Sequence, residues 1–195
     1  MTDWHDPAKY PELDSGDLAS RSKEGKVTAG ELRQAADILA DGRGGAETYR
    51  LLYVLGRSRA YQYENLVAAF LDYREDPMVA RLALQILCNF WARARQYRDA
   101  IARFLDGADW DALGDVRQIA ISAAGELLSA SRDCGLLARL IRLSDPAHDD
   151  ELERRIAVEA IARSTGLTRQ QIIRRDTGNG RSLSREDWAR AIRSR

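Results

Sequence analysis

The chain has 195 residues, 45% of them hydrophobic, which suffices for one globular domain without disulfides or a structural metal. Basic and acidic residues number 30 each, so the zero net charge excludes a general attraction to nucleic acid or to an anionic membrane. The two cysteines, Cys88 and Cys134, form no Cys-x-x-Cys pair, which argues against a zinc site and predicts a reducing, cytoplasmic location.

The predicted elements are all helical, because alanine, leucine, arginine and glutamate fill the stretches between sparse glycines and prolines. Residues 1–27 are predicted to be an N-terminal extension, after which Thr28 begins a helix through Leu39 with Glu31 at the spacing of a capping box. Helical hairpins follow. Their first helices are predicted near 47–60, 77–95, 115–131 and 151–164, and their second helices near 63–74, 97–106, 134–143 and 168–175. A C-terminal cap over 176–195 completes the chain.

A repeat of 37 residues relates the first helices of three hairpins, and it aligns Ala83, Ala120 and Ala157. Five residues after each alanine comes a small residue, where two helix backbones are expected to approach closely. These small residues are Cys88, Gly125 and Ala162, and Gly56 matches them at a shorter spacing. Because one hairpin cannot bury its apolar face alone, such units are expected to stack and share a core.

The units resemble HEAT-like repeats, most clearly at Asp115-Val116-Arg117-Gln118-Ile119-Ala120, where an acidic residue precedes a Val-Arg-x-x-Ala core. The resemblance covers residues 47–175 and implies an all-α, right-handed α-superhelix of four hairpins with capping helices at both ends. Residues 28–195 would then form a single solenoid domain. Small bacterial HEAT-like proteins include adaptors, toxin immunity proteins, alkylpurine DNA glycosylases and phycobilisome lyases, so the resemblance does not select a function.

The sequence shows no pattern typical of catalysis or of cofactor binding. His148 lies in a loop without a Ser or Cys nucleophile motif, and Gly42-Arg43-Gly44-Gly45 lacks the lysine of a phosphate-binding loop. Residues 176–187 resemble an EF-hand loop, but Arg181 replaces its required glycine, which argues against calcium. We therefore predict a non-enzymatic protein without cofactor or metal. A membrane span is not expected either, since no apolar run reaches about 18 residues.

The loops between hairpins are acidic, and in a stacked solenoid they would lie along one edge. Capping of helix N-termini is one explanation, and electrostatic steering toward a basic protein is the other. Trp110 lies between Asp109 and Asp111, which is typical of a binding hot spot, although a tryptophan that covers a repeat end is the alternative. The predicted partner-binding residues of this edge are Asp72, Asp109, Trp110 and Asp111.

A second candidate patch contains Tyr61, Tyr63 and Tyr73, which flank the apolar run of one second helix and are predicted to reach the concave surface. Packing of each ring with its hydroxyl in water is the alternative interpretation. Residues 165–195 form a basic block that could contact phosphates, but without stacking aromatics besides Trp188 a solvated cap is favoured. We do not expect nucleic acid as a partner.

These features predict a protein-binding module, and specifically a bacterial immunity protein that neutralises a basic toxin domain by stoichiometric occlusion. The alternatives are an adaptor in a larger complex and a HEAT-like alkylpurine DNA glycosylase. The zero net charge argues against the glycosylase, because phosphate contacts normally supply most nonspecific affinity for DNA.

Overall fold

The structure of the protein is a computed structural model that describes residues 13–42 and 45–165. Every regular element in these two ranges is helical, so the predicted all-α class is confirmed for them. The chain divides after Ala92 into two compact units, Met1–Ala92 and Arg93–Arg195, and each is described by itself. The predicted helix at 168–175, the cap at 176–195 and the basic block that begins at residue 165 lie outside the described side chains.

The first unit contains five α-helices within its described residues, joined by short helical turns. The α-helices are α1 Ser15–Lys23, α2 Ala29–Ala40, α3 Thr48–Arg57, α4 Glu64–Ala69 and α5 Pro77–Gln85. The 3-10 turns are Gly45–Glu47, Tyr61–Tyr63 and Phe70–Asp72, and a π-helical turn, Ile86–Phe90, continues α5. The predicted helix at 63–74 is therefore a short α-helix that tightens into a 3-10 turn.

Helix α1 lies inside the segment predicted as an N-terminal extension, and the sequence analysis did not predict a helix there. The Asp14 carboxylate begins it by accepting hydrogen bonds from the backbone N–H groups of Gly16 and Asp17, at 2.9 and 3.0 Å. Leu18 is buried, and the Ser15 hydroxyl donates to the Glu47 carboxylate at the start of α3. The helix therefore packs against α3 as part of the unit.

Helix α3 forms the centre of the first unit and packs against α1, α2 and α5. A Cβ added to Gly56 would lie 2.5 Å from Cγ1 of Ile86, so only glycine allows the π turn to come this close. The Trp91 indole N–H then donates to the Gly56 carbonyl at 3.0 Å, and this hydrogen bond is buried. The close approach at Gly56 thus fixes where the extended helix of α5 ends.

The second unit contains four α-helices within its described residues. They are α6 Arg98–Asp106, α7 Asp115–Ala130, α8 Cys134–Leu143 and α9 Glu151–Thr165. Helices α7 and α9 pack most closely, and a Cβ added to Gly125 would lie 2.8 Å from Cβ and 2.9 Å from Cα of Ala160. In the part of the chain that the structure describes, no helix is long and apolar enough to cross a membrane.

The aligned residues of the 37-residue repeat occupy similar environments in both units. Ala83, Ala120 and Ala157 are fully buried, and the small residues Cys88, Gly125 and Ala162 are buried as well. The two helices of the second predicted hairpin, α5 and α6, belong to different units. Stacking of all hairpins into one superhelix remains a prediction.

Candidate functional site

The loop between α6 and α7, residues 107–114, contains the predicted hot spot. Its centre is Asp111, whose Oδ2 accepts hydrogen bonds from the backbone N–H groups of Val116 and Arg117, at 3.0 and 3.1 Å. The backbone N–H of Gly114 donates to the Asp111 carbonyl at 3.0 Å. Asp111 therefore caps the start of α7 and stiffens the loop, which is the structural one of the two roles considered for the acidic loops.

Trp110 is half-buried and packs its ring against Phe104 of α6. The two rings meet edge to face, with centroids 6.1 Å apart and planes at 87°. Phe104 is buried, so Trp110 covers the end of α6, in keeping with the alternative role considered from the sequence. The neighbouring Asp109 is exposed, which leaves a charge beside a partly accessible aromatic ring.

Leu113, which was not among the predicted binding residues, follows in the same loop and is the most exposed large hydrophobic side chain of the described residues, at 78%. One feature of the sequence indicates that Leu113 is exposed. It precedes Gly114 and lies outside the apolar periodicity of α7, which begins at Val116. Gly114 has a left-handed φ of +67°, and a side chain there would overlap the Glu153 carboxylate. The tip of the loop thus packs against the first turn of α9.

Glu153 anchors this contact from α9 and is only 2% exposed. Its Oε2 lies 3.1 Å from Nη1 of Arg117 and 2.8 Å from Nε2 of His148. The backbone N–H of Glu153 donates to Oδ1 of Asp150 at 2.8 Å, and Arg154 donates to the His148 carbonyl at 2.9 Å. This cluster joins the start of α7, the α8–α9 loop and the start of α9, so the end of the unit is rigidly held.

Leu152 precedes Glu153 and is 39% exposed. Gly114 contacts Glu153, and each of these two residues follows a leucine in the chain. Leu113 and Leu152 therefore lie at the same end of the unit. Exposed acidic side chains are near the leucines in the chain, in the α6–α7 loop, in the α8–α9 loop and in the first turn of α9. We call this set the loop-end surface, and it consists of Asp109, Trp110, Leu113, Asp149, Glu151 and Leu152.

Other acidic residues of the second unit are taken up by ion pairs within the fold. Asp106 lies 2.9 Å from both Arg139 and Arg142, and the hydrogen bond from Arg139 holds the pKa of that carboxyl below its usual range. Asp133 caps α8 through the N–H of Leu136 and also accepts two hydrogen bonds from Arg98. The Arg98 hydrogen bonds are the main reason that the pKa of Asp133 falls to about 2.

In the first unit, the structure places two of the three predicted tyrosines in separate aromatic pairs. Tyr61 is 41% exposed and meets Trp91 edge to face, with centroids 5.5 Å apart. Tyr73 packs against Phe70, with centroids 5.6 Å apart. Its hydroxyl donates to Glu75 at 3.1 Å, and burial is the first cause that raises the pKa of this hydroxyl.

The two remaining predicted residues of this unit are Tyr63, which is half-buried in the turn before α4, and Asp72, which is exposed at the end of the turn after α4. Asp76 in the following loop accepts the N–H of Met78 at 2.9 Å and so caps α5. The acidic segment before α5 therefore combines a structural cap, Asp76, with two further exposed carboxylates, Asp72 and Glu75.

Across residues 13–42 and 45–165, no group of three histidine, cysteine, aspartate or glutamate side chains is arranged to hold a metal ion. Comparisons with models of known families, with curated proteins and with solved structures found no match. Within the described residues the fold is all-α, and the second unit presents exposed leucines near exposed acidic side chains.

Proposed function

We propose that the chain is a protein-binding module of HEAT-like type and that its partner docks on the loop-end surface. The observation that carries the proposal is the exposure of Leu113, at 78%, at the tip of a loop whose backbone is fixed by Asp111. A leucine in water gains free energy when it is buried against a partner. Since the loop is already ordered by its cap, little conformational entropy is lost when it binds.

The chemistry of the surface indicates a basic partner with an apolar pocket. Three exposed carboxylates, those of Asp109, Asp149 and Glu151, outnumber the one exposed arginine in the first turns of α9, Arg155. Such a rim raises the association rate of a positively charged protein and disfavours an acidic one. Trp110 adds a partly buried aromatic edge, which is the type of side chain that often dominates binding energy.

Within this class, the role that we favour is neutralisation of a basic toxin domain by stoichiometric occlusion. A rigid surface can cover an active site without chemistry of its own, and the Glu153 cluster supplies that rigidity here. The HEAT-like interpretation draws support from the burial of Ala83, Ala120 and Ala157 at equivalent places of the repeat. The toxin-neutralising role and the HEAT-like class are both parts of the proposal.

Site-specific photo-crosslinking in cells tests where the partner docks. A photoreactive amino acid is placed at Leu113 and, as a matched control, at Met78, an exposed hydrophobic residue of the first unit. We expect a discrete crosslinked partner from position 113 and none from position 78. Crosslinking from position 78 alone would move the interface to the first unit.

Binding kinetics with the captured partner then separate charge from apolar contact. Leu113→Ser and Trp110→Ala are expected to accelerate dissociation, by at least about tenfold for a hot-spot residue, while Asp109→Lys slows association and reduces its salt dependence. Met78→Ser serves as the control. Unchanged rates for folded variants at all three loop-end positions would contradict the proposed surface.

A further inference from the structure

Three helices of the first unit end in the same way, but one of them uses a different residue. Helices α1 and α2 are followed by Gly25 and Gly42, whose φ angles are +70° and +68°. At the end of α3 the equivalent residue is Arg59, with a φ of +53°. The backbone N–H of Ala60 donates to the Leu55 carbonyl at 3.1 Å, which completes the usual pattern of a helix that ends in a left-handed residue.

A left-handed backbone is strained for an L residue with a side chain, and glycine normally occupies this position. The first unit uses glycine after α1 and α2, whereas a residue with a side chain holds this conformation at Arg59 and again at Ala92, after the π turn. Residues held in such conformations cluster at ligand sites, because the side chain is retained in spite of the strain. The surroundings of Arg59 are therefore of interest.

Arg59 lines a cavity of about 610 Å³ in the first unit, between the ends of α1 and α3 and the ring of Phe90. Lys23 and Arg57 also line it, and the Arg57 guanidinium lies 5.5 Å from the centroid of the Phe90 ring. Glu24 is the carboxylate of the lining, and it pairs with Lys26 at 2.6 Å. The cavity thus presents three cationic side chains against one carboxylate that already has a partner.

Ser58 is part of the lining, and its hydroxyl lies beneath the surface. Oγ of Ser58 is buried and has no hydrogen-bond partner among the described residues. A buried polar atom without a partner is rare in proteins, and a bound anion is one group that would satisfy it. The serine can donate to an anion, and it lies in the chain between the two arginines of the cavity.

Helix dipoles alone do not account for the three cationic side chains of this cavity. A positive charge near a helix C-terminus is favourable, and this explains Lys23 at the end of α1 and Arg57 at the end of α3. The effect falls off beyond the last turn and gives no reason to place an arginine in a left-handed conformation. Arg59 therefore needs a second explanation.

We propose that this cavity binds a phosphate group, held by Lys23, Arg57 and Arg59 and by the hydroxyl of Ser58. Arginine presents its N–H groups as a planar fork that matches the oxygens of a phosphate, and lysine adds a compact charge. The volume exceeds that of one phosphate, which leaves room for the molecule that carries it. The phosphate group is either free in solution, as in a small phosphorylated compound, or part of a lipid headgroup.

The test uses the full chain, with pyrophosphate as the soluble probe and vesicles that contain phosphatidic acid as the membrane probe. Isothermal titration calorimetry measures binding of pyrophosphate, and sedimentation measures binding to the vesicles. Arg59→Gly is expected to weaken binding by at least tenfold while the melting temperature stays the same or rises, because glycine relieves the strained backbone. Ser58→Ala is expected to weaken binding several-fold.

Ala92→Gly is the matched control, because Ala92 also has a left-handed φ, of +55°, and does not line the cavity. It removes backbone strain at another helix end and should leave binding unchanged. Binding of pyrophosphate that depends on Arg59 identifies a soluble ligand, and binding of the vesicles alone, with the same dependence, identifies a headgroup. The proposal is overturned if the wild-type chain binds neither probe, or if Arg59→Gly binds as the wild type does.

Discussion

Both units cap helices with carboxylates, and they differ in where they place their other charged side chains. In the second unit, Asp111 and Asp133 cap helices and Glu153 holds an arginine and a histidine inside the fold. In the first unit, the cavity at the end of α3 brings three cations together with a single carboxylate that is paired elsewhere. Charges that serve the fold and charges that face outward therefore look alike in a sequence, and only their partners distinguish them.

The largest effect should come from the most deeply buried charge of the second unit. Glu153→Ala leaves Arg117 and His148 without their shared carboxylate, and we expect a loss of about 3 kcal/mol in the free energy of unfolding. Urea denaturation measures it. Glu151→Ala, in the same first turn of α9 but exposed, should change stability by less than about 0.5 kcal/mol. Equal losses for the two variants would show that the buried cluster does not stabilise the unit.

Two helix caps, one in each unit, allow the contribution of a capping carboxylate to stability to be compared between the units. Asp76→Ala removes a cap that is exposed in the first unit and should cost about 1 kcal/mol. Asp133→Ala removes a cap and also both hydrogen bonds from Arg98, so we expect a loss of about 2 kcal/mol. The difference between the two variants in chemical denaturation estimates the contribution of Arg98. A larger loss for Asp76→Ala would reverse the comparison.

Acid should destabilise the second unit through Asp133. Because the pKa of its carboxyl in the folded chain is about 2, below the ordinary 3.8, its ionised form stabilises the fold above the ordinary value. That stabilisation, about 1–2 kcal/mol, is lost as the pH falls from about 4 toward 2. Asp133→Asn should flatten this part of the stability profile, measured by urea denaturation at a series of pH values. A profile of unchanged steepness would assign the acid sensitivity to other carboxylates.

The smallest effect on stability is expected at the loop-end surface. Leu113 is exposed, so Leu113→Ser should change the free energy of unfolding by less than about 0.5 kcal/mol. Thermal unfolding followed by circular dichroism measures it. A clear loss would indicate that Leu113 packs within the fold, and the apolar contact offered to a partner would then have to come from Leu152.

Local sequence signals predicted α7 and α8 well. Their predicted ranges, 115–131 and 134–143, differ from Asp115–Ala130 and Cys134–Leu143 by one residue at most. Apolar periodicity marks both helices in the sequence, and the structure shows that Asp133, directly before α8, caps that helix. Helix α1 lacks this signal, because its buried face consists of Leu18 and two serines, and no apolar stripe marks it.

Features that depend on contacts far apart in the sequence could not be predicted. The π turn after α5 follows from the approach of Ile86 to Gly56 and from the hydrogen bond of Trp91 to the same glycine, 35 residues away. Asp111 caps α7 from outside the spacing of an ordinary cap, by accepting from residues five and six positions later. The sequence singled out the loop that is proposed as the binding site and offered capping as one role of its acidic residues. It did not show that Asp111 is the residue that caps α7 or that Leu113 is exposed.

The two cysteines of the chain make the opening of the first unit measurable without any engineered probe. Cys134 is exposed at the start of α8, whereas Cys88 is buried at the small-residue position of the first unit. A thiol reagent should modify Cys134 at once and reach Cys88 only when the first unit opens. In the mass spectrum of the intact chain, the growth of the second adduct then gives the rate of that opening. The unmodified chain therefore reports the opening rate of its first unit through its own thiol group.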